Sequence, residues 1–365
     1  MTLWSRSHSL QQKTIAAIVM VGLLPLTLML ALIYVEERRA LQESTGTNFK
    51  EVAVEAARRI EMHVTRGMNE AQQLATTPFL RTAVSEANRT YEGKDAQSIS
   101  DIIKGWQQRW RQRDKRSEFP LFVNRIVTNY LIRWHEIRKS DYVGILVTDG
   151  QGSLVVSSIP QVEYSYAKTA WWQAVVKGGS QHPYVGEIAF DPAFGTHVVI
   201  VAAPILDDQH RGVVGAVTIL LRRDTLFQSI AEGSFDVTGH AMLFTSDGGV
   251  VICPVLPPEA HSIDSELIST LGAPKPGWAV AADDSHGNKG ALIGFAPVRF
   301  ADQLATGSIG GKRWITVVRQ DPSETFAPLG VDGQGLVIRH GGVIRALCNR
   351  SDCRSPNRST HPDVA

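Results

Sequence analysis

Cysteine is scarce, with three in 365 residues, too few for a disulfide framework. Cys253 stands alone in the body of the chain. Cys348 and Cys353 lie near the end, and no second Cys or His pair has zinc-site spacing with them. Excess charge is missing too. The 37 Lys and Arg meet 36 Asp and Glu, which argues against a general nucleic-acid binder, since such proteins carry a basic surface. Catalytic signatures are lacking: no nucleophile elbow and no H-E-x-x-H occurs. "GSIGGKR" (Gly307 to Arg313) only superficially resembles a phosphate loop, because Thr306 replaces its first glycine and Arg313 its Ser or Thr. His182, His197, His210 and His240 are scattered through turns and strands. No catalytic residue, metal ligand or cofactor is therefore expected.

One long apolar run is present, "TIAAIVMVGLLPLTLMLALIYV" from Thr14 to Val35, and no charge interrupts its 22 residues. At ~1.5 Å per residue it reaches about 33 Å, enough to cross a bilayer. Its length and the charged "EERR" behind it favour an uncleaved anchor over a signal peptide. Arg6 and Lys13 before it balance Arg38, Arg39 and Lys50 after it, so flanking charge does not orient it. No later run reaches ~18 apolar residues, so the chain is expected to cross once.

Beyond the anchor, Phe49, Ala53, Ala56, Ile60, Val64, Gly67, Ala71 and Leu74 recur at alternating spacings of three and four. That period predicts one long helix with an apolar seam, about 40 residues and ~60 Å long, ended by Pro78. The seam is expected to serve both as dimer contact near the membrane and as core packing further out. Polar residues from Ala87 to Asp101 predict a loop. "KGWQQRWRQRDKR" (Lys104 to Arg116) predicts an amphipathic helix with Trp106 and Trp110 inward. A further helix has a face marked by Phe119, Phe122, Ile126, Tyr130, Leu131 and Trp134.

From Tyr142 the period changes to that of strands. The first set is Tyr142–Thr148, Ser153–Ser158, a short helix "AKTAWWQAVVKG", Tyr184–Phe190, Thr196–Pro204 and Gly212–Leu221, closed by the helix "RRDTLFQSIAEG". The order then repeats with Ala241–Ser246, Val250–Cys253, a helix around Ser265–Thr270, Gly277–Ala282, Gly290–Val298 and Lys312–Val318. Each set opens on a hairpin with an Asp-Gly turn, "VTDGQGSLVVSS" and "LFTSDGGVVICP", and Asp247 follows Asp149 by 98 positions. Short connections favour antiparallel neighbours. The fold class is therefore α+β, with two tandem antiparallel-sheet units behind a membrane helix and a long signalling helix. Asp149 and Asp247 read as turn residues bonding local amides, not as a carboxylate pair.

The ordered set of N-terminal apolar helix, long helix, "TDG" and "SDG" hairpins, "AWWQAVVKG" helix and "RGVVGAVTILL" strand resembles the double Cache sensor family, over about Glu36 to Pro328. The resemblance implies PAS-like sheets and an extracytoplasmic ligand sensor in the inner membrane, of the histidine kinase, chemoreceptor or diguanylate cyclase type. The division it implies is a short tail (1–13), a transmembrane helix (14–35), the long helix with a membrane-distal unit (36–232), a membrane-proximal unit (233–328) and a tail (329–365). The Gly-, Arg- and Ser-rich tail stands where such receptors re-enter the membrane, and reads as a natural extension or, preferably, a shifted or truncated reading frame.

The family usually holds its ligand in the first unit, between the sheet and the helix after the hairpin. Carried over, that implies Tyr164, Trp171, Trp172 and Tyr184, with Thr169 in the same helix and Asp191 more distant. Aromatic walls offer apolar area and cation–π capacity. Of the adjacent Trp171 and Trp172, one is expected to be core packing. The amino-acid-binding subset uses Arg-x-Trp-Tyr and a later Asp. Thr169 and Val217 occupy the two charged positions, so free α-amino acids are not the expected ligand unless Lys168 or Arg133 substitutes. The expected partners are a small molecule, a second copy through the long helix, and the membrane through 14–35. An anchored hydrolase or a structural partner of another membrane protein are the alternatives.

Overall fold

The computed structural model describes residues 14–15, 17–112, 125–160, 162–192, 194–209, 211–299 and 312–329. Pro25 shapes the start of the first helix. It has no N–H to donate, and its ring crowds the carbonyl four residues back. The backbone forms a π-turn over Val19–Leu23, in which the Leu24 N–H donates to the Val19 carbonyl. Helix α1 then runs unbroken over Leu24–Ala75, 52 residues or about 78 Å. The end of the apolar run and the seamed helix are thus one element. It is the one helix among the described residues long and apolar enough to cross a membrane, and its apolar window is wholly exposed.

All eight seam residues of α1, from Phe49 to Leu74, are buried, together with Gly46, Ala57, Met68 and Ala75. The seam lies on the chain's own sheets, in a core that also contains Ile145, Val147, Val217, Ile219 and Leu221 of one sheet and Leu243, Leu292 and Val318 of the other. Burying a side chain such as Ile60 or Leu74 stabilises by ~1.5–3 kcal/mol. Small residues allow the close approach: a Cβ on Gly294 would collide with the Phe49–Lys50 backbone. α1 ends before Pro78, which opens a new helix, α2 (Pro78–Arg89), with Thr77 extended ahead of it.

The loop expected at Ala87–Asp101 is corrected. Only 90–95 lie outside helices, between α2 and α3 (Ala96–Gln112). The Asp95 carboxylate accepts the Ser98 N–H at 2.7 Å and starts α3. α3 buries little besides Trp110, so polarity there marked an exposed helix, not a loop. Helix α4 (Arg125–Ile137) is also corrected. Leu131 is buried and Tyr130 and Trp134 pack against the core as expected, but Ile126 is 79% exposed and Val127 is buried instead. Phe119 and Phe122 lie outside the described residues, as do Gly307 to Gly311 and 330–365.

The two strand sets form two antiparallel sheets. The first contains β1 (Tyr142–Asp149), β2 (Leu154–Ser157), β3 (Tyr184–Asp191), β4 (Thr196–Leu206) and β5 (Val213–Arg222). The second contains β6 (His240–Thr245), β7 (Val250–Ile252), β8 (Gly277–Ala281), β9 (Ala291–Pro297) and β10 (Trp314–Arg319). Their spatial orders, β2-β1-β5-β4-β3 and β7-β6-β10-β9-β8, are the same order twice. Helix α5 (Ala170–Trp172), continuing as a π-turn over Gln173–Lys177, joins β2 to β3. α6 (Arg223–Ala231) joins the sheets, α7 (Ser265–Leu271) joins β7 to β8, and α8 (Pro322–Thr325) follows β10. Buried Glu70 of α1 accepts from the Tyr142 hydroxyl and pairs with Arg138 at 3.2 Å, tying α1 to β1 and to the end of α4.

Candidate ligand-binding site

In the first sheet, alternation sends Leu146, Ala216, Leu220 and Ala202 away from α1, into a second core built on Trp110, Tyr164, Trp171, Trp172 and Val175. Trp171 and Trp172 are both buried, at 3% and 7% exposure, against the expectation of a single core tryptophan. Both rings belong to that second core. The Trp171 ring lies 5.6 Å from Tyr166, and Trp172 Nε1–H donates to the Asp149 carbonyl at 3.4 Å. Tyr164 is buried with its ring 6.0 Å from Trp110, whose Nε1–H donates to the Val162 carbonyl at 2.8 Å. Tyr184 is half-buried against the same core. Thr169 precedes α5, and its hydroxyl donates to the Tyr166 carbonyl at 2.8 Å. Asp191 stands apart at the β3–β4 turn, where its carbonyl accepts Phe194 and Gly195 N–H groups. It lies seven positions from Tyr184, about 23 Å along the strand. Lys168 and Arg133 are exposed.

Val217, the position carried over for the acidic anchor, faces α1. By alternation, the polar residue aimed at the aromatic core is its neighbour Thr218. The Thr218 and Thr148 hydroxyls are both fully buried and have no hydrogen-bond partner among the described residues. They lie on adjacent strands, with Leu146 opposite Thr218 and Thr148 opposite Ala216.

Beside this core, between β2 and helices α2–α4, lies a cavity of about 310 Å³. Tyr164 belongs to both. The cavity walls include Tyr91 of the α2–α3 connection, Trp106 of α3, Val127 of α4 and Leu154 of β2, with Asp149 at the end of β1. Asp149 is 1% exposed. Its carboxylate accepts the Gln151 and Ser153 N–H groups, both at 2.8 Å, and the Tyr91 hydroxyl at 3.1 Å. These are the local amide bonds expected of a turn aspartate, but the same side chain also lines the cavity. Burial pushes its carboxyl above the usual range, against the pull of the amides. Burial first, then the Asp149 charge, raises the Tyr91 hydroxyl and pushes that of Tyr164 up to about 12. No Lys or Arg is among the described residues lining the cavity. Exposed Glu86 adds a second carboxylate at its rim. A negative group in an aromatic, partly dry site favours a cation over an anion.

The hairpin alone did not reveal this role for Asp149. Its covering residues Tyr91 and Trp106 come from a segment 40 to 60 positions earlier.

Two sheets of one topology on a shared helix define the class, a tandem α+β sensor module. The chain belongs to the Cache domain family, whose model matches residues 37–329. A comparison with curated proteins returns no match. Among solved structures, the chain is similar to the ligand-binding domain of the Pseudomonas aeruginosa amino acid chemoreceptor PctB in complex with L-Arg. Identity is 15% and the TM-score 0.45, covering 78% of this chain and 98% of that one. It is similar to the sensory domain of the Campylobacter jejuni chemoreceptor Tlp3 with isoleucine bound, at 11% identity and a TM-score of 0.48, over 79% of this chain and 96% of that one. An extracellular ligand-binding receptor from Desulfohalobium retbaense matches at 9% identity and a TM-score of 0.46. The match covers 74% of this chain and 40% of that one.

Proposed function

We propose that this chain is a membrane-anchored extracytoplasmic sensor whose first, membrane-distal unit binds a small cationic molecule in the Asp149 cavity. The observation that carries the reading is a buried carboxylate, without a Lys or Arg partner among the described residues, in an aromatic-walled cavity. Tyr164 is the direct link to the aromatic set carried over from the family. Trp171, Trp172 and Tyr184 form the core behind Tyr164, Thr169 leads into their helix, and Asp191 stands outside the cavity lining. A free α-amino acid fits poorly, because its carboxylate would meet Asp149 and Glu86 with no lining cation to hold it.

Residues 14–35 anchor the chain. The seam beyond Gly46 is already covered by the chain's own sheets, so a second copy would meet the largely exposed foot of α1, 24–40. Ligand entry would shift α2–α4 against β2, and α1 would carry the shift toward the membrane.

The test is thermal unfolding of the full chain in detergent with a panel of small amines, their uncharged N-acyl forms, carboxylates and α-amino acids. A rise in Tm with an amine, absent for its N-acyl form and abolished by Asp149→Asn, is the expected result. Stabilisation by an α-amino acid, or an amine shift untouched by Asp149→Asn, overturns the reading.

A further inference from the structure

We propose that the second unit holds a transition-metal ion, zinc(II) by its ligand set, between His240, Cys253 and His286. The three residues are far apart in sequence and arrive from the start of β6, the end of β7 and the β8–β9 turn. One ligand atom from each lies within 4.8 Å of the others. Cys253 Sγ is 3.8 Å from His240 Nε2 and 3.6 Å from His286 Nε2. An ion ~2.3 Å from sulfur and ~2.1 Å from nitrogen, at the tetrahedral angle, sets those atoms about 3.6 Å apart. The separations therefore suit a shared ion as they stand.

The surrounding atoms prepare the ligands. His240 Nδ1 lies 2.8 Å from the Thr238 carbonyl. A proton on that nitrogen leaves Nε2 as a bare lone pair facing the sulfur, the usual arrangement for an imidazole ligand. Cys253 Sγ accepts the Val255 and Leu256 N–H groups at 3.4 and 3.3 Å, which fix the position of the sulfur. The His286 turn is held by Asp284, which accepts the His286 and Asn288 N–H groups at 2.9 and 3.0 Å. Asp284 is itself paired with buried Arg319, whose Nε–H donates to it at 2.8 Å.

A second, independent observation is His261. Its Nδ1 faces the Pro257 carbonyl at 3.0 Å, and its Nε2 is buried with no hydrogen-bond partner among the described residues. Its ring stands 5.0 Å from that of His286. His261 or a water completes four-coordination. One thiolate with two or three imidazoles is a borderline-soft set that suits zinc and excludes magnesium or calcium. Binding releases the Cys253 proton to solvent. The ion would pin three chain segments at the sheet end from which β10 leads into α8 and Phe326. The Arg38 guanidinium of α1 lies 5.6 Å over that ring, so metal loading bears on the foot of the long helix.

The experiment uses the full chain in detergent with Cys348→Ser and Cys353→Ser, which leaves Cys253 as the one thiol. Titration with cobalt(II) is expected to give tetrahedral ligand-field bands and a thiolate-to-cobalt charge-transfer band, saturating at one equivalent and displaced by zinc. Cys253→Ser removes the charge-transfer band. Cys253→Ser and His286→Ala each weaken zinc uptake by about 100-fold or more, beyond the effect of losing an outer partner. The parent spectrum decides without reliance on either variant, since only Cys253 can supply the band. No charge-transfer band in the parent, or zinc uptake unchanged in both variants, overturns the proposal.

Discussion

The Asp-Gly hairpin occurs twice, and its two aspartates live in opposite surroundings. Asp149 is buried under α2 and α3 and bonded to Tyr91. Asp247 is exposed, accepting the Thr245 hydroxyl at 2.6 Å and pairing with Lys312 at 2.9 Å. Burial raises the first carboxyl. The Thr245 hydrogen bond, then Lys312, lowers the second to about 2. The cause is what precedes each hairpin. Three helices lie between α1 and β1, whereas β6 follows α6 after a short turn. Inserted helices roof the first hairpin and enclose a cavity; the second leaves its aspartate exposed. A repeat of topology is not a repeat of site.

The largest expected effect breaks the symmetry of the helix contact. α1 meets the second sheet at a strand glycine, Gly294, whose added Cβ would strike helix backbone. It meets the first sheet at its own Gly67, whose Cβ would meet only the movable end of Leu221. Gly294→Ala should cost about 3 kcal/mol, because backbone must shift. Gly67→Ala should fall within about 1 kcal/mol of neutral, because helix propensity offsets a side-chain adjustment. Denaturant unfolding checks both, and equal costs would undo the comparison.

Next in size are two buried threonines on central strands. The Thr316 hydroxyl donates to the Ala53 carbonyl at 2.7 Å, whereas that of Thr218 has no partner among the described residues. Thr316→Val should destabilise, and Thr218→Val should stabilise, each by about 1 kcal/mol. Opposite shifts in Tm are the readout. Destabilisation by Thr218→Val would show that its hydroxyl is satisfied.

The smallest effects come from pH. Asp149 has a raised folded pKa, so its contribution is full in acid, below its unfolded pKa, and declines as pH rises through the folded value. Asp247 has a depressed one, so its contribution holds above the unfolded pKa and is lost as pH falls toward about 2. Asp149→Asn should remove a loss of stability on raising pH from acid to neutral. Asp247→Asn should remove a smaller loss on acidification, because the pair is exposed and screened. Melting curves across pH separate the two, and slopes of the same sign would contradict the assignment.

Much of the scaffold was legible from short-range pattern. The seam from Phe49 to Leu74, the strands and their repeated order follow from period alone, since burial on one face imposes 3.6 or 2 on any sequence. What misled was polarity without context: Ala87–Asp101 looked like a loop because α3 exposes most of its surface. Ile126 misled in the opposite sense, as an apolar residue facing water.

The chain's order of elements, its one long apolar run and its twin hairpins were thus determined by sequence, because each depends on neighbours a few residues apart. The roof over Asp149, the turning of Val217 toward α1 and the meeting of His240, Cys253 and His286 were decided only in the tertiary structure. Each joins residues from separate elements. Which of them meet depends on how helices and sheets pack, and no local spacing records it.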